Sequence, residues 1–116
     1  MHLAQFQEYC LSFPGVTEEF PFGEETLVYK VSGKMFALSS LDNFESINLK
    51  CDPEEAIELR ERYEGVTPGY HMNKKHWNTI AVHSGIPNKM LLEWIKKSYE
   101  LVVASLPKKE REKLGH

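Results

Sequence analysis

What the chain has little of narrows the field first. It holds two cysteines, Cys10 and Cys51, 41 positions apart and in no C-x-x-C pair. A disulfide framework is therefore not expected, and both read as free thiols of a reducing compartment. No apolar run approaches the ~18 residues that suggest a membrane helix, and mean hydropathy is -0.43. The opening MHLAQFQEYC lacks a basic stretch followed by an apolar one, so no signal peptide is expected and the location reads as cytoplasmic. G-x-S-x-G, a P-loop and a dinucleotide fingerprint are all missing, which points away from an enzyme and from a bound cofactor. H-E-x-x-H and D-x-D-x-D-G are missing too, so Glu18, Glu19, Glu24 and Glu25 read as solvated carboxylates rather than metal ligands. A basic surplus is also lacking. The net charge is -3 and the pI about 5.9, below the values usual for nucleic-acid-binding domains.

What is present describes one globular domain over residues 1–116, with 41% hydrophobic and 27% charged residues. A chain of this length buries a core without needing a disulfide or metal. The charge is uneven along it. Residues 1–64 carry 5 Lys+Arg against 13 Asp+Glu, and residues 65–116 carry 9 against 4. Folding can either segregate these charges into two surfaces or mix them.

Leu3, Phe6, Cys10 and Phe13 recur at helical spacing and predict a helix over about residues 2–12, ended by Pro14-Gly15. Val16–Phe20 reads as a short strand. Thr26–Val31 and Met35–Ser39 alternate on either side of Ser32-Gly33-Lys34, the pattern of a β-hairpin. Ser46–Lys50 alternates again. Asp52-Pro53-Glu54-Glu55 opens a helix with a capping carboxylate, a proline at the first position and acid in the first turn. Gly65 ends that helix, and Thr67-Pro68-Gly69-Tyr70 reads as a turn. Thr79–Val82 is a short strand beginning near His76, and Gly85-Ile86-Pro87 opens the last long helix. The order α-β-β-β(-β)-α-β(-β)-α predicts an α+β two-layer sandwich. Its antiparallel sheet has about five strands and is covered on one face by three helices.

Several blocks resemble one family. They are Phe13-Pro14-Gly15-Val16-Thr17-Glu18-Glu19 with Pro21-Phe22-Gly23, then Tyr29-Lys30-Val31 with Gly33–Ala37, then Lys50 with Asp52-Pro53. Pro68–Thr79 (PGYHMNKKHWNT) and Ser98–Val102 complete the set. In order and spacing they are similar to the MmcQ/YjbR-like family, across almost the whole chain. The resemblance implies an α+β fold like the CyaY-like and secretion-chaperone-like arrangements, and a role in DNA binding through a double-wing motif.

The segment Tyr70–Thr79 concentrates two His, two Lys, two Asn, a Trp and a Tyr. Lysine neutralises phosphate, asparagine bonds phosphate or base edges, and tryptophan stacks on an unpaired base. His71, Asn73, Lys74, Lys75, His76, Trp77 and Asn78 are therefore candidate nucleic-acid contacts, with Lys34 at the hairpin tip and Lys50 at a strand end beside them. The same residues have a structural reading, in which Trp77 anchors the core, the asparagines form turns and the lysines are simply solvated. Two functions stay open. One is weak, largely non-specific DNA contact. The other is a non-catalytic module that takes a protein, a small ligand or a second copy on an open sheet face.

Overall fold

The computed structural model describes residues 1–69 and 72–115. Within them the chain forms α1 (Leu3–Leu11), β1 (Val16–Glu19), β2 (Thr26–Val31), β3 (Lys34–Ser40) and β4 (Ser46–Lys50). Then follow α2 (Pro53–Arg62), β5 (Val66–Pro68), β6 (Trp77–Ala81), α3 (Asn88–Ala104) and α4 (Lys108–Lys113). The strands make one antiparallel sheet in the order β1-β2-β3-β4-β6-β5.

The α+β reading holds, with two corrections to the count. The described residues contain six strands rather than about five, and four helices rather than three. The added strand is β5, where Thr67-Pro68 reads as a turn by composition. Among the described residues Val66–Pro68 pairs only with β6, and an edge strand is where a proline without N–H is tolerated. The added helix arises because Pro107 interrupts the last helical pattern. Ser105 caps α3, and α4 starts afresh after the proline.

Local chemistry accounts for the main turns. Ser32 and Gly33 have φ of +48° and +80°, the paired left-handed geometry that fits the twist of a two-residue hairpin. Asp52 Oδ2 accepts from the N–H groups of Glu54 and Glu55 at 3.2 and 3.4 Å, closing the start of α2.

The helices cover one sheet face. Leu27, Tyr29, Ile47, Leu49 and Ile80 point into a core shared with Phe6 of α1 and Leu91, Ile95 and Val102 of α3. Between Tyr29 and Lys30 the β2–β3 register shifts, leaving Phe36 as an extra residue. Its carbonyl accepts from the buried Ser98 hydroxyl of α3 at 2.6 Å, and that hydroxyl accepts from the Lys50 N–H at 2.9 Å. The helix thus supplies a rung that the bulged ladder lacks. No helix among the described residues is long and apolar enough to cross a membrane.

Candidate functional site

Period-two alternation places the partners Val28, Leu38, Asn48 and Thr79 on the sheet face opposite the helices. Trp77, opposite Lys50, shares that face. Here Val28, Leu38 and Trp77 form a second, smaller apolar cluster, packed by Met35 and Met72. Beside it lies an open concavity of about 410 Å³. Phe22, Leu38 and Met72 supply its apolar surface; Asn48 and the hydroxyl residues Thr26, Ser40, Ser46 and Thr79 supply polar groups. Phe22 comes from the loop before β2 and Met72 from the loop before β6, so the two flank the groove across β3 and β4. Phe22 is 61% exposed. The Thr79 hydroxyl donates to Asn48 Oδ1 at 2.6 Å.

The two ends of this face differ in charge. The antiparallel order puts the β2–β3 tip with Lys34, the end of β4 with Lys50, and the turn before Trp77 at one end. At the other end lie the β1–β2 loop with Glu24 and Glu25 and the β3–β4 loop with Asp42 and Glu45. Those loops are joined by the Leu41 N–H bond to the Glu25 carbonyl at 2.8 Å. Among the described residues no ion pair engages Lys34, Lys50 or Lys75, whereas Lys30 pairs with Glu19 at 3.3 Å. The Thr17 hydroxyl, then Lys30, holds the Glu19 carboxyl below its ordinary range. Over the whole molecule the halves mix, as the Lys97–Glu55 pair at 3.2 Å shows.

The residues expected from the sequence divide into three groups. Lys34 and Lys75 are exposed and Lys50 is half-buried. Asn73 forms a turn, its Oδ1 accepting from the Lys75 N–H at 2.9 Å, and Lys74 Nζ donates to the Gly69 carbonyl at 3.0 Å. His76 is half-buried, and its carbonyl accepts from the Cys51 N–H at 2.8 Å. Trp77 and Asn78 need correction as nucleic-acid contacts. Trp77 is 7% exposed, its indole filled in by Met35 and Met72, and Asn78 is 1% exposed on the helix side. Neither offers a surface for stacking or base contact. His71 lies outside the described residues.

Sequence reasoning passed over Arg60. From α2 its Nε donates to Asn78 Oδ1 at 2.7 Å, and its Nη2 donates to the carbonyls of Trp77, at 3.3 Å, and Lys74. Asn78 Nδ2 in turn donates to the Ala56 carbonyl at 3.3 Å. This clamp fixes the turn that precedes β6. The groove residues Phe22, Asn48, Met72 and Thr79 were also missed, although the alternation of Ser46, Asn48 and Lys50 against Ile47 and Leu49 already marks a polar face. Next to Lys50, burial pushes the Cys51 thiol up to about 11, with Glu55 and Asp52 adding to the shift. No group of three or more His, Cys, Asp or Glu among the described residues is placed to hold a metal ion.

Comparison with known proteins gives a consistent picture. The sequence profile of the YjbR family matches residues 11–101. The uncharacterized protein YbdF of Escherichia coli O157:H7 is 40% identical over 106 residues, covering 90% of this chain and 87% of that one. YjbR of Escherichia coli K12 is 29% identical over 115 residues, covering 98% of each. The crystal structure of Deinococcus radiodurans protein DR2400 superposes with a TM-score of 0.90 at 38% identity, over 97% of this chain and 86% of that one. A Pseudomonas syringae crystal structure gives 0.72 at 27% identity, over 87% and 98%.

Proposed function

The chain belongs to the YjbR family, and we propose that it is a non-catalytic binding module working through the helix-free face of its sheet. One observation carries this reading. The groove of about 410 Å³ falls within the range of small-molecule sites, roughly 300–1,000 Å³. It combines apolar walls with a few convergent polar groups. The packed Val28–Leu38–Trp77 cluster beside it gives that face a fixed framework, so little ordering cost accompanies binding.

The test uses 1-anilinonaphthalene-8-sulfonate, an aromatic anion that fluoresces in apolar clefts, titrated into the folded chain with amide shifts recorded in parallel. The expected result is saturable binding with shifts concentrated at Ser40, Ser46, Asn48 and Thr79. Shifts confined to the α2–α3 side, or no saturable binding, would overturn the reading.

A second reading, DNA contact, is favoured by the grouping of Lys34, Lys50 and Lys75 at one end of the sheet. It loses the stacking platform that an exposed Trp77 would have offered. Anisotropy of labelled duplex and single-stranded DNA across salt concentrations decides it. Contact by these lysines requires a salt slope that Lys50→Ala with Lys75→Ala flattens by about 1–2.

A further inference from the structure

The chemistry of the groove narrows what it takes; the argument rests on the helix-free face being the binding surface. Among the described residues no ionisable side chain lines the groove, and these residues favour an uncharged group in the seated part of a ligand, since a buried charge needs a partner. Its polar groups exclude a plain alkyl chain. The bond from Thr79 holds Asn48 Oδ1, and the Asn48 NH2 group has no protein acceptor among the described residues. A ligand seated there can present an acceptor to that amide in place of water. The exposed Phe22 ring and the Met72 thioether flank the groove, a pairing suited to a flat aromatic body.

Charge at the two ends adds the next element. Lys50 stands two residues beyond Asn48 on the same face, about 7 Å along the strand. With Lys75 in the adjoining turn, it favours an anionic group attached to that aromatic body. Beyond the other end, Glu25 and Glu45 directly precede Thr26 and Ser46. A polynucleotide running through would bring its next phosphate against these carboxylates, whereas a molecule with an anion at one end only meets no such repulsion. We propose that the groove is a mononucleotide site, with the base between Phe22 and Met72 over Asn48 and the phosphate at Lys50.

Calorimetric titration of the full chain with AMP, GMP, CMP and UMP tests this. The parallel arms are the four nucleosides, inorganic phosphate and a single-stranded decanucleotide. At least one mononucleotide is expected to bind one to one, about tenfold tighter than its nucleoside, the value of one charge-assisted contact. Lys50→Gln should bring the nucleotide down to the affinity of the nucleoside and leave the nucleoside unchanged. Asn48→Ala should weaken both. Circular dichroism confirms that each variant is folded. The assignment is overturned if no mononucleotide binds, if the decanucleotide binds tighter than every mononucleotide, or if Lys50→Gln changes nothing. When no mononucleotide binds but the naphthalene probe still maps to the groove, the nucleotide assignment falls and the binding face stands. When the probe maps elsewhere, both fall.

Discussion

Replacing Arg60 by methionine tests the clamp that holds the turn before β6. The side chain keeps its aliphatic length and loses three donated bonds, to Asn78 Oδ1, the Trp77 carbonyl and the Lys74 carbonyl. These are not equal. Lys74 is exposed, so water replaces that bond at little cost. Asn78 is 1% exposed, and stranding its oxygen costs about 1–3 kcal/mol. The longer bond to the Trp77 carbonyl adds about 0.5–1 kcal/mol, a total of roughly 1.5–4 kcal/mol. For a domain of this size that corresponds to a fall in Tm of about 10 °C. Urea unfolding followed by tryptophan fluorescence measures it, with an unchanged m-value expected because the folded surface is unaltered. Adding Asn78→Leu removes the stranded oxygen, and the double variant should recover part of the loss, since removing both partners of a buried bond costs less than removing one. A loss below about 0.5 kcal/mol for Arg60→Met, where a stranded buried oxygen alone should cost at least ~1 kcal/mol, would refute the reasoning.

Two further predictions follow from buried groups. Ser98→Ala breaks the bonds to the Phe36 carbonyl and from the Lys50 N–H in a fully buried position. It should destabilise the fold by about 2–3 kcal/mol and speed amide exchange at Lys50, with unchanged exchange there counting against the bridge. Cys51 holds its proton to about 11 in the fold against 9.0 without it. Folding is therefore favoured by this group at neutral pH, and that contribution is lost as pH rises from about 9 to 11. Iodoacetamide alkylation of the native chain should rise with a midpoint near 11 and, in urea, near 9. A native midpoint at or below the one in urea would contradict the burial argument.

Much of the fold is legible because its signals are local. Asp52-Pro53-Glu54-Glu55 contains both the cap and the first turn of α2, and Ser32-Gly33 carries the hairpin within two residues. β5 was not legible, because a proline has turn chemistry by composition and strand chemistry only once an edge is known. The site was less accessible than the fold. Period two predicts that Trp77 and Asn78 face opposite ways. The burial of Trp77 depends on Met72 folding back, and that of Asn78 on Arg60 reaching across from α2. The groove draws on β2, β3, β4 and β6 and on two loops. No window along the chain contains enough of it to be read, and of the run rich in lysine and aromatic residues only Met72 and Thr79 line it among the described residues.

The hydroxyl rung of Ser98 bears on the sequence of events during folding. The β2–β3 and β3–β4 pairs join near neighbours and can form early, yet the end of β4 is tied to β3 through a residue 48 positions downstream of Lys50. A chain emerging from synthesis therefore has an unfinished seam at that end of the sheet until α3 has been made and docked. A fragment stopping before Asn88 should keep the hairpin and fray at Lys50, at the end of the sheet where Lys34 and Lys75 also lie.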